Sequence, residues 1–363
     1  MPNIRVLVVD DSVVVRRLLS NMLDEEPGIE VAAVAANGRI ALAKIPRVQP
    51  DIVVLDVDMP ELGGLETLVE METAFPGLPV IMFSALTQRG ADATIEALIR
   101  GAADYVTKPS RMRSPEEAQE VVRRDLVPKI RAICGRSPGQ TAPSAAPPEP
   151  RPRPRVESRR HPIRYLIPLP PKVIGIGAST GGPRALHAVF DKLPAGLPVP
   201  ILIVQHMPPL FTSHLAQQLS KRSNVEVREG EDHAVVLPGQ AWVAPGNRHM
   251  EVMRVGDEVR LRITMDPPEN SCRPSVDVLF RSLAEVYGPS TLAVVLTGMG
   301  NDGYRGAREI HGSGGRILAQ DRDTSVVWGM PSFIANNGLA DRVLPLDEIA
   351  TELLRRLDLL RPD

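Results

Sequence analysis

Cysteine is scarce. The chain of 363 residues has two, Cys134 and Cys272, far apart and in no CxxC or Cys/His spacing. That argues against a disulfide framework or a structural zinc, suits a reducing compartment, and leaves both as ordinary thiols. Aromatic residues make up 3% of the chain, which argues against a lipid-binding tunnel. Net charge is nearly absent: 42 Lys and Arg stand against 44 Asp and Glu, a formal −2. Bulk electrostatics therefore gives no reason to expect nucleic acid or an anionic membrane as partner. Long apolar runs are missing too. None reaches the ~18 residues that span a bilayer, and the start "MPNIRVLVVDD" enters a strand at once instead of forming a signal peptide, so the expectation is a cytoplasmic protein that is not membrane-embedded.

What is present is enough apolar sequence, 43%, for two domains with separate cores. Residues 135–171 hold 11 prolines and few apolar side chains, and read as a semi-extended linker. The arginines from Arg151 to Arg164 suit a solvated tether, with a docking patch as the alternative reading. On either side, short β-branched runs alternate with helix-period segments, the pattern of parallel sheets covered by helices. The expected division is 1–134, a linker over 135–171, and 172–363. The expected class is α/β throughout: an N-terminal (βα)5 unit, then a doubly wound, mostly parallel unit with an antiparallel hairpin.

In the first unit, the runs "IRVLVVDD", "DIVVLD", "PVIMFS" and "ADYVTKP" end in polar residues: Asp10 and Asp11, Asp56, Ser84, and Lys108. The carboxyl ends of neighbouring parallel strands meet in one crevice, so these side chains converge. Three carboxylates together repel one another; a hard divalent cation such as Mg²⁺ resolves this, while Lys108 and Ser84 suit an incoming phosphoryl group. On these positions, residues 3–133 resemble a response-regulator receiver domain, with Tyr105 at the aromatic switch position. The resemblance implies that Asp56 accepts a phosphoryl group from a histidine kinase of the CheA type. It also implies that Asp11, Asp56 and the Asp58 carbonyl hold Mg²⁺ with Asp10 nearby, that Ser84 and Lys108 grip the phosphoryl oxygens, and that the peptide before Pro109 is cis.

The second unit opens on "KVIGIGASTGGPRAL". A dinucleotide fingerprint from Gly175 fails at Thr180, and a P-loop from Gly177 fails at Pro183 and Arg184. G-x-S-x-G, Gly177 to Gly181, fits a strand–turn–helix that lifts Ser179 over a helix N-terminus. A serine nucleophile needs a base. His187 and His214 fall in helical patterns, His311 near a helix end, His161 in the linker, and His233 and His249 in loop or hairpin context. His206 alone ends an apolar strand, "PILIVQH", and reaches the same edge as Ser179 if the two strands are parallel neighbours.

The run "VVLTGMGNDGYRGA" makes a rival claim. Gly298, Gly300 and Gly303 spell G-x-G-x-x-G, and Asp321 follows about 20 residues on, as a dinucleotide fold requires. Against it, Asp302 lies inside the turn where a pyrophosphate would sit, and the helix dipole there would hold that carboxylate. An acid at this edge can instead orient His206, and N–H groups around Met299 can face an oxyanion.

The segments "VIGIGASTGGP", "QHMP", "WVAPGNRHM", "RPSVDVLF", "VVLTGMGNDG" and "QDRDTSVVWGMP" resemble the catalytic domain of the CheB protein-glutamate methylesterases. The resemblance implies a triad of Ser179, His206 and Asp302, the Met299 N–H at the oxyanion and Thr180 beside the site. It implies no cofactor in this domain, methyl-accepting chemoreceptors as substrates, glutamine deamidation as a second activity, and a receiver that covers the Ser179 edge until Asp56 is phosphorylated. The linker departs most from the family. Two other classes stay open: a receiver-regulated enzyme that binds a dinucleotide, and a response regulator with a DNA-binding output, although no basic recognition helix is evident.

Overall fold

The computed structural model describes residues 2–85, 87–109, 115–135 and 169–359. The expected linker, with His161 and the arginine run, falls almost wholly outside the described residues.

The first unit is a five-stranded parallel sheet. Its strands are β1 (Ile4–Val9), β2 (Ile29–Ala35), β3 (Ile52–Asp56), β4 (Val80–Ser84) and β5 (Asp104–Thr107), in the order β2-β1-β3-β4-β5. Helices α1 (Val13–Asp24), α2 (Gly38–Val48), α3 (Gly64–Ala74), α4 (Gln88–Arg100) and α5 (Pro115–Ile133) alternate with them. Side chains buried on both faces explain the unbroken apolar runs: every residue of "IVVLD" in β3 and "VIMFS" in β4 is buried.

The second unit has seven parallel strands in the order β14-β13-β12-β6-β7-β9-β8. They are β6 (Val173–Ala178), β7 (Ile201–Gln205), β8 (Glu226–Glu229), β9 (Gln240–Val243), β12 (Thr291–Val295), β13 (Arg316–Gln320) and β14 (Arg342–Leu344). The expected hairpin is β10 (His249–Val255) with β11 (Glu258–Thr264), antiparallel, turning at Gly256 with φ +61°. The helices are α6 (Gly182–Phe190), α7 (Phe211–Arg222), α8 (Val276–Tyr287), α9 (Tyr304–Gly312), α10 (Met330–Asn336) and α11 (Leu346–Arg356). After β6 the chain winds outward through β7 to β9, then returns to β12 on the other side of β6. That reversal opens a crevice at the carboxyl ends of β6, β7 and β12, where open α/β sheets place their sites.

The two units share a core. One apolar cluster runs from Ile95 and Leu98 of α4 to Leu186 of α6 and Phe211 and Leu215 of α7, and Tyr105 stacks on Phe211 with ring centroids 4.7 Å apart. Among the described residues, no helix is long and apolar enough to cross a membrane.

Candidate active site

Ser179 follows β6 directly. Its N–H donates to Thr297 O at 3.0 Å, while its own carbonyl accepts from Gly182 N and Gln205 Nε2, which pins the turn on both sides. Gly181 sits at φ +77°, and a Cβ there would lie 2.6 Å from Val326 Cγ2, so glycine is required by both conformation and space. β7 pairs parallel with β6, Ala178 opposite Gln205, and His206 N donates to Ala178 O at 3.2 Å. The parallel neighbourhood on which the His206 expectation rested is therefore present. Ser179 and His206 are successive residues beyond paired strand ends.

Asp302, in the turn after β12, is buried and accepts five hydrogen bonds. His206 Nε2 lies 2.8 Å from Oδ2, and Val276 N donates to the same oxygen at 2.7 Å. Asn270 Nδ2 and Ser275 Oγ donate to Oδ1 at 2.8 Å each, and Asp277 N at 3.2 Å. The helix N-terminus that holds this carboxylate belongs to α8, not to α9, which follows Asp302 in the chain. The reason is geometric: α8 delivers two free N–H groups to the crevice, whereas α9 starts at Tyr304 after the turn has passed. Burial pushes the Asp302 carboxyl up, but His206 and the other donors outweigh it and bring it to about 2. For His206 burial pulls the other way, and Asp302 with Cys272 overcomes it, leaving the imidazole well above the ordinary histidine range.

Asp302 occupies Nε2, which leaves Nδ1 as the ring nitrogen without a carboxylate partner. Cys272 Sγ lies 3.8 Å from it. Among the described residues, neither the Ser179 hydroxyl nor the Met299 N–H has a protein hydrogen-bond partner, and the Met299 side chain is exposed. The rival acid, Asp321, is taken up by its own turn, accepting from Thr324 N at 3.0 Å and Thr324 Oγ1 at 2.6 Å.

Thr180 is held from the other unit. Its hydroxyl donates to Asp104 Oδ2 at 2.6 Å, and Gly181 N donates to Ala103 O at 3.1 Å. Asp104 in turn accepts from Lys129 Nζ at 2.9 Å, and that ammonium sits 5.0 Å above the Tyr105 ring. Tyr105 is buried against Phe211, and burial pushes its phenol well above the usual range. The residue beside Ser179 and the predicted switch aromatic thus meet through neighbouring positions of β5.

At the edge of the first sheet, Lys108 Nζ lies 2.8 Å from Asp10 Oδ2 and 2.7 Å from Asp56 Oδ2. Oxygens of Asp10, Asp11 and Asp56 lie within 4.8 Å of one another. Burial raises Asp56 to about 6, with Asp10 adding to the rise while Lys108 and the Asp58 N–H oppose it. Ser84 is turned away, donating to Gly90 O at 3.2 Å and Ala85 O at 3.3 Å. One expectation fails. The single cis peptide among the described residues is Arg273–Pro274, so the bond before Pro109 is trans, the form favoured by ~0.5–1 kcal/mol before proline, and Lys108 still reaches both carboxylates.

The sequence reading missed Asn270 and Ser275 as holders of Asp302, Asp104 as the partner of Thr180, and the place of Cys272. The Ser275 signal was available, a serine immediately before the helical "VDVLF". The others depend on contacts between distant segments.

Comparison with known proteins agrees with these features. Residues 174–353 match the model of the CheB methylesterase family, and residues 6–119 match that of the response regulator receiver domain. A protein-glutamate methylesterase/protein-glutamine glutaminase of Trichodesmium erythraeum is 51% identical over 98% of this chain and 100% of its own. One from a Nocardioides species is 47% identical over 100% of this chain and 98% of its own. The crystal structure of the Thermotoga maritima CheB methylesterase catalytic domain is 41% identical, covers 52% of this chain and 99% of its own, and superposes with a TM-score of 0.50. With relatives this similar across its whole length, the chain belongs to the CheB methylesterase family and carries a response regulator receiver domain.

Proposed function

We propose that the chain hydrolyses γ-methyl esters of glutamate on the cytoplasmic helices of chemoreceptors, under control of phosphorylation at Asp56. The 2.8 Å contact of His206 with Asp302, beside Ser179 at the switch point of the sheet, carries the reading. Ser179 Oγ attacks the ester carbonyl and passes its proton to His206 Nδ1. The tetrahedral oxyanion accepts from the Met299 N–H, and collapse expels methanol with the proton from His206. Water, deprotonated by His206, then cleaves the acyl-enzyme and releases glutamate. On a glutamine side chain the same steps release ammonia. Asp302 holds the imidazole tautomer and stabilises its cation.

In the receiver, the donor set is all oxygen, and Asp10 Oδ2 has an ionic neighbour but no aligned hydrogen bond, a set that fits Mg²⁺. Asp11, Asp56 and the Asp58 carbonyl would hold the ion, which would neutralise charge on an entering phosphoryl group. Asp56 is the acceptor, Lys108 its counter-charge, and Ser84 has to turn from Gly90 O to meet a phosphoryl oxygen. A histidine kinase is the donor. The division at 1–134, 135–171 and 172–363, and a cytoplasmic location, belong to the same reading. Thr180 held by Asp104 supports regulation, because the receiver grips the residue next to the nucleophile. Phosphorylation shifts the population towards arrangements in which that grip is released.

The test is methanol release from methylated receptor membranes, with and without a small phosphodonor and Mg²⁺. Ser179→Ala is expected to abolish release, and unchanged turnover would end the mechanism. Equal turnover with and without the phosphodonor would end only the regulatory part.

A further inference from the structure

We propose that His206 Nδ1 and Cys272 Sγ form a binding site for a soft divalent cation of the zinc class, and that its occupation takes the base out of the reaction. Sequence spacing gives no hint of this pair, since 66 positions separate the two residues. The fold brings Sγ to 3.8 Å from Nδ1. Zinc bonds of about 2.0–2.1 Å to nitrogen and 2.3 Å to sulfur on a tetrahedral centre place the two donor atoms about 3.6 Å apart, so a shift of a few tenths of an ångström seats the ion.

The other side of the ring is already arranged as a metal-binding histidine requires. A ligating imidazole usually gives its second nitrogen to a carboxylate that is itself hydrogen-bonded. Here Nε2 lies 2.8 Å from Asp302, which Asn270, Ser275, Val276 and Asp277 hold in place. Cys272 is fixed as well. Its N–H and carbonyl pair with Glu269 at 2.8 and 3.1 Å, and Asn270 and Ser271 adopt φ +51° and +62° to bring it round. The thiol is half-buried and, besides its approach to His206, donates to Asn270 O at 3.4 Å, so an ion can approach it.

Donor softness separates this site from the receiver's. Thiolate with imidazole selects zinc, whereas Asp10, Asp11 and Asp56 offer hard oxygens that suit Mg²⁺. Binding releases to solvent both the thiol proton and the proton held on Nδ1, and the ion takes up the Nδ1 lone pair. The Ser179 proton then has no acceptor and the hydrolase stops. With two protein ligands and the remaining positions filled by water, binding is reversible and weaker than in a closed four-ligand site.

The inhibition half rests on His206 being the base; the binding half does not. The experiment therefore reads both on the full-length chain, in excess Mg²⁺ to saturate the receiver. Cobalt(II) titrated into the chelator-washed protein is expected to give a thiolate-to-cobalt charge-transfer band at one equivalent, retained in Cys134→Ser and lost in Cys272→Ser. Zinc is expected to slow methyl ester hydrolysis at least tenfold, reversibly by chelator, and the ratio of rates with and without zinc should return to near one in Cys272→Ser. No band in the wild type, a band surviving in Cys272→Ser, or equal zinc inhibition in that variant would overturn the site. A band without inhibition upholds the site and instead removes His206 as the base.

Discussion

Asp302 and Asp56 are both buried carboxylates at the carboxyl edge of a parallel sheet, yet they titrate in opposite directions. Asp302 is brought to about 2, and Asp56 is raised to about 6. Burial alone raises both. The difference lies in the donors. Asp302 receives two N–H groups of α8, an amide, a hydroxyl and an imidazole, whereas Asp56 has Lys108, one long bond of 3.4 Å from Asp58 N, and the repelling Asp10. A saturated carboxylate is a fixed charge that orients a neighbour. An undersupplied one keeps lone pairs for an incoming electrophile or cation, so the same chemical group suits the proposed positioner in one domain and the proposed phosphoryl acceptor in the other.

The largest effect expected from breaking the contrast is on turnover. Asp302→Asn keeps the shape but supplies the wrong partner for Nε2, and kcat should fall by about 10⁴-fold. A loss under tenfold in steady-state methanol release would dissolve the distinction between the two acids. Asp56→Asn should instead spare basal turnover and abolish only its increase with a phosphodonor.

Next comes stability, where the two substitutions should differ in sign. The depressed carboxyl of Asp302 stabilises the fold above the unfolded value near 3.8, and that stabilisation is lost as pH falls towards about 2. It is worth about 2–3 kcal/mol at pH 7, so urea denaturation of Asp302→Asn should show a loss of at least that size. The raised carboxyl of Asp56 works in reverse. Its ionisation costs stability as pH rises from 3.8 to about 6, and Asp56→Asn should gain about 3 kcal/mol at pH 7, the opposition of Lys108 being already contained in that shift. Carboxyl resonances in Mg²⁺-free protein should titrate near 6 for Asp56, and added Mg²⁺ should move that midpoint down.

Smaller effects test how the domains communicate. Thr180→Val removes the 2.6 Å bond to Asp104 and leaves that acid with Lys129, so basal hydrolysis should rise several-fold and phosphodonor stimulation shrink accordingly. Glu96→Gln weakens the ion pair with Arg222 across the same interface. That pair is partly exposed, so basal activity should change less than threefold, and a larger change would make charge rather than the Tyr105–Phe211 stack the main holder.

Strand ends were legible because unbroken β-branched runs stop abruptly at polar residues, and parallel topology then sends Ser179 and His206, or Asp10 and Asp56, to one edge. Asp302 was legible as an acid at that edge, but the helix that clamps it was not, because a free helix N-terminus belongs to no particular neighbour until the sheet is assembled. Asp104 had no sequence signal either: it opens β5 like any strand residue, and Thr180 lies 76 positions away. Cys272 read as an ordinary thiol for the same reason. Periodicity reports faces and ends, while cross-chain pairing needs three dimensions.

The clamp on Asp302 has one more consequence. The five donors come from three stretches, at 206, at 270 and at 275–277, and tie them to 302. In a chain whose two cysteines form no bridge, this carboxylate acts as a knot of weak bonds where a secreted enzyme would use a covalent staple. Unlike a disulfide, the knot does nothing to restrict the unfolded chain, so it can form only together with the domain around it. Catalytic competence and the folding of β7, α8 and β12 should then be lost in a single cooperative step, with no folded but misassembled site left behind.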